Sequence, residues 1–173
     1  MAARNVILVG FMGAGKSVCG RLLARRLNLC FVETDDMIAS TEGCSIPEVF
    51  ARHGEARFRQ LEAEAVDALA LKSGDVVATG GGLPCREGMM DKLRALGTVV
   101  WLRGDLESLL ERARRQGARP MLDGRTEEQI TALYEGRVPY YSQAHLTVDT
   151  SGRTVDQVVG ALVAALRGDH ARV

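Results

Sequence analysis

The sequence predicts a three-layer α/β fold, in which a five-stranded parallel sheet has helices on both faces. Five short apolar runs alternate along the chain with longer segments of helical periodicity. Apolar strands of this kind are typical of parallel sheets, whose crossover helices cover both sides. In such sheets ligands bind beyond the carboxyl ends of the strands, so we look for function in the residues that follow each strand.

The predicted strands are short and apolar, and the predicted helices are amphipathic. The first strand, Asn5–Val9, leads through a glycine-rich turn to a helix at Lys16–Leu27, whose leucines and arginines lie on different faces. Ser45 and Glu48 form a capping-box pattern at the start of a helical region that breaks at Gly54. The other predicted strands are Cys30–Glu33, Asp75–Thr79, Thr98–Leu102 and His145–Val148, and the other helices are Ile46–His53, Glu55–Leu71, Arg86–Leu96, Leu106–Gln116, Glu127–Ser142 and Thr154–Arg167.

Length and composition predict one ordinary globular domain spanning residues 1–173. Hydrophobic residues make up 46% of the chain, and 22 basic residues balance 22 acidic ones. A zero net charge argues against a general nucleic-acid binder, which would be strongly basic. No stretch approaches the roughly 20 apolar residues of a membrane span, and the first apolar run is too short for a signal-peptide core. We therefore expect a cytoplasmic protein that binds neither nucleic acid nor membranes, and separately we expect it to be a monomer.

The four cysteines show no spacing typical of a metal or redox site. Cys19, Cys30, Cys44 and Cys85 lie far apart in the sequence and form no CxxC pair. We expect buried, reduced thiols at these positions.

A phosphate-binding loop is predicted between the first strand and the first helix. Residues Gly10–Ser17, GFMGAGKS, fit the pattern G-x-x-x-x-G-K-[ST] in the strand-to-helix context that this motif requires. The glycines let backbone N–H groups converge on phosphate oxygens, and the following helix adds its positive end. Lys16 is placed to reach the β- and γ-phosphates, and Ser17 to ligate Mg²⁺. A glycine-rich turn with an incidental lysine is the alternative, and the motif does not identify a phosphoryl acceptor.

Polar residues also follow the second and third predicted strands. The acidic turn Glu33–Asp36 offers carboxylates to Mg²⁺ or to an acceptor hydroxyl, whose proton a carboxylate can take. A solvated helix N-terminus, where acids are favoured, explains the same residues. The glycine run Gly80–Gly82 offers backbone donors to a ligand, or is a plain loop.

Arginines cluster in two further regions of the chain. Arg59 and Glu62 are spaced i,i+3 on a predicted helix, a spacing that a surface ion pair alone explains. Residues 112–125 contain five arginines, including Arg119, and form either a lid that closes over phosphates or a solvated loop. Arg137 is unremarkable by itself.

Together these segments resemble the shikimate kinase family over nearly the whole chain. The phosphate loop is shared by many nucleotide-binding proteins, whereas the remaining pieces in this order are much more specific. They are ETD at Glu33–Asp35, GEARFRQLE at Gly54–Glu62, ATGGG at Ala78–Gly82, ARPML at Ala118–Leu122, GRVPYY at Gly136–Tyr141 and VDT at Val148–Thr150. The resemblance implies a P-loop kinase fold with an arginine-rich lid. It also implies ATP- and Mg²⁺-dependent phosphorylation of the 3-hydroxyl of shikimate, giving shikimate 3-phosphate and ADP, in the pathway to chorismate and aromatic amino acids.

The same resemblance implies roles for individual residues. Asp35 would bind the reacting hydroxyl and serve as the base, with Lys16 and Arg119 as the other catalytic residues. The substrate carboxylate would be bound by Arg59 and Arg137, with Gly81 donating from its backbone. The nucleotide would be bound by Gly13, Ala14, Gly15, Lys16, Ser17, Val18, Arg112, Arg119 and Arg153, the metal by Ser17 and Glu33, and the substrate ring would lie between Phe50 and Phe58.

Two positions depart from the family pattern. The first acid of the D-x-D turn is usually Asp, so the longer side chain of Glu33 leaves its geometry toward Mg²⁺ open. Many members have Thr after the phosphate-loop Ser, where Val18 offers the nucleotide no hydroxyl.

Two other functions stay open on the sequence alone. Another small-molecule kinase on this scaffold, of the gluconate or nucleoside monophosphate type, would share the phosphate loop, although paired arginines favour a carboxylate over an uncharged sugar. A nucleotide-dependent switch without an acceptor predicts slow ATP hydrolysis that shikimate leaves unchanged.

Overall fold

The structure, a computed structural model, describes residues 4–115 and 124–170 and follows the predicted alternation of strands and helices. Its elements are β1 (Asn5–Val9), α1 (Lys16–Leu27), β2 (Cys30–Glu33), α2 (Thr34–Glu42), α3 (Ile46–Leu69), β3 (Asp75–Ala78), α4 (Met89–Leu96), β4 (Gly97–Arg103), α5 (Leu106–Arg115), α6 (Glu127–Tyr141), β5 (Leu146–Asp149) and α7 (Val155–His170). The five strands form one parallel sheet in the order β2-β3-β1-β4-β5, which confirms the predicted sheet. None of these helices is long and apolar enough to cross a membrane.

Helices cover both faces of the sheet, as predicted. Leu8 of β1 faces α1, because its Cδ1 lies 3.3 Å from the position of a Cβ on Gly20 in that helix. Side chains alternate along a strand, so Val9 faces the opposite side. Val9 is in register with Trp101 of β4, whose ring centroid lies 6.0 Å from that of Tyr141 in α6. Helices α1 and α6 therefore lie on opposite faces of the sheet.

Helix α3 consists of two helical parts that meet at Gly54, where the sequence predicts a break. Gly54 has φ 74° and ψ −179°, a backbone conformation that favours glycine. The predicted capping box is present at the start of the helix, where the Ser45 backbone N–H donates to Glu48 Oε2 at 2.9 Å. The second part carries Arg59 and Glu62 toward the carboxyl ends of the strands.

One helix and several boundaries differ from the sequence-based prediction. The sequence-based prediction lacks helix α2. Only Thr34 and Ile38 of the nine residues in this helix are buried, so its sequence has no regular apolar stripe. Helix α4 begins at Met89 and not at Arg86, because Gly88 at φ 69° forms its N-cap. The strands β3, β4 and β5 and the helices α3, α6 and α7 differ from their predicted ends by one to three residues.

The prediction of buried thiols is wrong for three of the four cysteines. Cys19 is buried, Cys44 and Cys85 are half-buried, and Cys30 is exposed. Cys30 opens β2, which is an edge strand with a neighbour on one side only. None of the four cysteines forms a disulfide.

Candidate active site

The phosphate loop joins β1 to α1 in a shape that requires glycine. Gly13 has φ 74°, and a Cβ there would lie 1.9 Å from the carbonyl oxygen of Leu109 in α5. Gly15 has φ 86° and forms the N-cap of α1. The unpaired N–H groups of the first turn of α1 therefore face the loop, which forms a cradle for an anion.

The Lys16 ammonium group lies over this loop. Its Nζ donates to the carbonyl oxygens of Gly10 at 2.8 Å and Phe11 at 3.0 Å. Burial lowers the pKa of Lys16 to about 8; the negative charge of Asp35 opposes this shift, and the positive charge of Arg137 adds to it. A bound phosphate would favour the charged form of the lysine.

Asp35, in the first turn of α2, presents a carboxylate beside the end of β3. Among the described residues its buried Oδ1 has no hydrogen-bond partner. This oxygen lies 2.8 Å from the position of a Cβ on Gly80, so any larger residue at that position would displace the carboxylate. Burial raises the pKa of Asp35, with Lys16 opposing the shift and Glu33 adding to it. A buried oxygen without a partner is rare, and it marks a place where a ligand donor fits.

The guanidinium groups of Arg59 and Arg137 converge on the glycine run after β3. A Cβ on Gly82 would lie 3.5 Å from Arg59 Nη1 and 3.3 Å from Arg137 Nη2. Tyr141 holds the run in place, because its hydroxyl donates to the Gly81 carbonyl oxygen at 2.6 Å. The structure thus brings together the two predicted substrate arginines and Gly81.

The two arginines differ in how their charge is balanced. Arg59 Nη1 lies 2.9 Å from Glu62 Oε2, and Arg59 Nη2 lies 2.8 Å from Glu55 Oε1. Glu62 is 1% exposed, so its contact with Arg59 is not a surface ion pair. Arg137 is buried, and no carboxylate of the described residues lies within ion-pair distance of it. A buried cation without a counter-charge is costly, so this position fits an anionic ligand.

Ser17 and Glu33, the predicted metal ligands, are in direct contact. The Ser17 hydroxyl donates to Glu33 Oε1, and Glu33 Oε2 lies 2.6 Å from Arg21 Nη2. In the part of the chain that the structure describes, no group of three His, Cys, Asp or Glu residues could hold a metal ion by itself. The two oxygen donors fit Mg²⁺, which in kinases takes one or two protein ligands together with phosphate oxygens and water.

The predicted nucleotide residues beyond the loop lie near the ends of β4 and β5. Arg112 Nη2 donates to Thr150 Oγ1 at 3.1 Å, and Arg112 Nε donates to the Ser108 carbonyl oxygen at 3.2 Å. Arg153 is exposed in the turn after β5, and Val18 is exposed on α1. Arg119 and residues 116–123 of the predicted lid lie outside the described residues.

The predicted ring-binding residues Phe50 and Phe58 pack against each other. Their ring centroids are 4.4 Å apart, and the Arg59 guanidinium carbon lies 5.6 Å from the Phe58 centroid. Phe58 is buried, whereas Phe50 is 39% exposed. The pair therefore borders the substrate arginines, and a role in holding the substrate ring stays a prediction.

Sequence reasoning missed two residues that contact this site, Arg21 and Tyr141. Arg21 follows Ser17 by one helical turn, a spacing that places both on one side of α1. Tyr141 ends the quoted segment GRVPYY, but nothing in the pattern shows that its hydroxyl contacts Gly81.

The comparisons with known proteins agree on one family. A model of the shikimate kinase family matches residues 12–167. A shikimate kinase of Geobacter metallireducens is 44% identical over 168 residues, which cover 96% of this chain and 94% of that protein. The crystal structure of shikimate kinase from Aquifex aeolicus superposes with a TM-score of 0.87 at 37% identity, covering 96% of this chain and 98% of that one.

A second solved structure is a shikimate kinase from Acinetobacter baumannii in complex with shikimate. It superposes with a TM-score of 0.83 at 33% identity and covers 93% of this chain and 91% of that one. Sequence and fold thus match over nearly the full length of the relatives. This chain belongs to the shikimate kinase family.

Proposed function

We propose that this protein transfers the γ-phosphoryl group of ATP to the 3-hydroxyl of shikimate, using Asp35 on the acceptor side and Lys16 on the phosphate side. Membership of the shikimate kinase family makes ATP-dependent phosphorylation of shikimate, in the pathway to aromatic amino acids, the activity of this chain. The observation that carries the acceptor assignment is the buried Arg137, which lacks a carboxylate partner among the described residues.

The acceptor site suits a small molecule with one carboxylate and several hydroxyl groups. Arg59 and Arg137 provide planar donor groups that match a carboxylate, and the Gly81 N–H adds a backbone donor. Asp35 would accept a hydrogen bond from the hydroxyl group of the acceptor through its unpartnered Oδ1. This hydrogen bond would orient the hydroxyl oxygen of the acceptor toward the phosphate loop, and the carboxylate would accept the hydroxyl proton.

The transfer itself then needs positioning and charge neutralisation. The acceptor oxygen forms a bond to the γ-phosphorus, the bond from that phosphorus to the bridging oxygen of ADP breaks, and Asp35 takes the hydroxyl proton. Lys16 and the N–H groups of Gly13–Gly15 would stabilise the charge on the phosphate oxygens. Ser17 and Glu33 would hold Mg²⁺, which when bound neutralises further phosphate charge.

The molecular context is also part of the proposal. We propose a single kinase domain of residues 1–173 that acts as a monomer in the cytoplasm, with an arginine-rich lid at about residues 112–125. Light scattering of the purified protein tests the monomer directly. A dimeric mass would contradict it without affecting the assignment of the reaction.

The decisive test of function measures ADP release with and without shikimate in a coupled assay. We expect turnover that requires shikimate, with the product identified as the 3-phosphate by ³¹P and ¹H NMR. Gluconate and nucleoside monophosphates serve as alternative acceptors. Turnover with one of these but not with shikimate would contradict the acceptor assignment, and ATP hydrolysis that ignores all acceptors would favour a nucleotide switch.

Replacement of Arg59 by Ala is expected to raise the KM for shikimate much more than the KM for ATP. Removing one partner of a desolvated ion pair typically costs about 2–5 kcal/mol, and we expect the lower end because Arg59 is partly exposed. Arg57→Ala is the matched control, since Arg57 lies on the same helix but contacts Glu42 and Glu64. An effect of Arg59→Ala on ATP alone would contradict the substrate assignment.

Replacement of Arg119 by Ala is expected to lower kcat and to change the shikimate KM little. A residue that reaches the phosphates only after lid closure acts mainly on the transition state. Arg125→Ala, a second arginine of the predicted lid segment that lies exposed in the structure, is the control. If the two variants have the same kcat as the parent protein, this segment is not a catalytic lid.

A further inference from the structure

The carboxylate of Glu33 is shared between two partners on α1. Its Oε1 accepts from the Ser17 hydroxyl, and its Oε2 lies 2.6 Å from Arg21 Nη2. Ser17 and Arg21 are one helical turn apart, so both face the carboxylate from the same side of the helix. The Glu33 side chain is 18% exposed and that of Arg21 58% exposed, so the ion pair lies at the rim of the site.

Arg21 is held in this position by a second contact. Its guanidinium carbon lies 4.9 Å from the ring centroid of Phe31, two residues before Glu33 on β2. Phe31 in turn packs against α1, because its Cε2 lies 2.5 Å from the position of a Cβ on Gly20. An aromatic face and a carboxylate together orient a guanidinium group well, since the group can stack and donate at once.

A divalent cation and Arg21 would compete for the same carboxylate. Ser17 would bind the cation through a lone pair of its hydroxyl oxygen, while the hydroxyl still donates its hydrogen to Glu33 Oε1. Glu33 then has one negative charge to divide between the cation and the guanidinium group. The side chain of Glu is one methylene longer than that of Asp, and this length lets the Glu33 carboxylate contact Ser17 and Arg21 at the same time.

We propose that Arg21 is a positioning residue that holds the carboxylate of Glu33 beside α1 and lowers the affinity of the site for the metal–nucleotide complex. This inference rests on the metal site of the proposed function but not on the identity of the acceptor. Arg21 acts through Glu33 and does not itself touch the metal or the phosphates.

The test measures binding of Mn²⁺ with ADP by electron paramagnetic resonance of the free ion, without shikimate and without turnover. We expect Arg21→Gln to tighten Mn²⁺–ADP binding about twofold to fivefold at low salt, the range for an exposed ion pair. The gain should shrink as salt is added, because exposed charges are screened. Arg25→Gln, the same charge change one turn further along α1, should leave binding unchanged.

A double-mutant cycle separates competition for Glu33 from simple charge repulsion. If Arg21 acts through Glu33, then Arg21→Gln has no effect on Mn²⁺–ADP binding in a Glu33→Gln background. Tightening that persists in this background, or equal tightening by Arg25→Gln, overturns the proposal in favour of general repulsion. Unchanged or weaker binding in Arg21→Gln alone also overturns it. If the parent protein does not bind Mn²⁺–ADP at all, the assignment of the nucleotide site is itself contradicted.

Discussion

Replacement of Lys16 by Met is expected to reduce kcat about 100-fold or more while the protein stays folded. Lys16 is the one cationic side chain that the phosphate loop carries, and its ammonium group already lies over the loop, bonded to the Gly10 and Phe11 carbonyl oxygens. Removing a preorganised donor of this kind costs on the order of 3 kcal/mol in the barrier. Steady-state kinetics with saturating ATP and shikimate measures the effect.

Two further variants make the Lys16 result interpretable. Lys92→Met removes an exposed lysine of α4 that pairs with Asp67 of α3, and it should keep full activity. Lys16→Arg keeps the charge but not the compact ammonium group, so we expect only partial recovery of kcat. Circular dichroism and the melting temperature show whether Lys16→Met is folded. Near-normal turnover in a folded Lys16→Met protein would contradict the assignment of the phosphate loop.

The positions of the five strands along the chain and their parallel direction follow from the sequence, because buried parallel strands leave a strong local signal. In β1 the residues Val6–Val9 are all apolar, and the whole strand is buried in the middle of the sheet, where it pairs with β3 and β4. Helix α2 leaves no comparable signal. Its sequence, TDDMIASTE, is mostly polar, and it is placed by contacts with α3 that no local pattern encodes. Periodicity finds elements that bury a regular face and misses those that do not.

The site shows the same division between local and long-range information. The phosphate loop is contiguous in sequence, so its motif alone identifies Lys16 and Ser17. Arg59 and Arg137 come from different helices, and spacing does not reveal that both approach Gly82. For those two residues the resemblance to a known family supplied the prediction, and the structure confirms that they lie together.

Replacement of Asp35 by Asn is expected to reduce kcat by at least about 100-fold, because an amide cannot accept the hydroxyl proton of the acceptor. The structure also predicts how this substitution changes the stability of the protein. Oδ1 of Asp35 is buried without a partner among the described residues, and burial raises the pKa of this carboxyl group. A neutral side chain of the same shape avoids the cost of burying that charge, so the melting temperature of Asp35→Asn should stay the same or rise.

Asp36→Asn is the matched control for this prediction. Asp36 follows directly in the first turn of α2 but is exposed to solvent, so the same chemical change there should leave kcat within about twofold of the parent value. A large loss of kcat in Asp35→Asn with unchanged stability assigns the base to Asp35. A fall in melting temperature that accompanies the loss of kcat would instead show that the Asp35 carboxylate has a structural role. Equal losses of kcat in both variants would show that activity depends on the total negative charge of the turn and not on Asp35 alone.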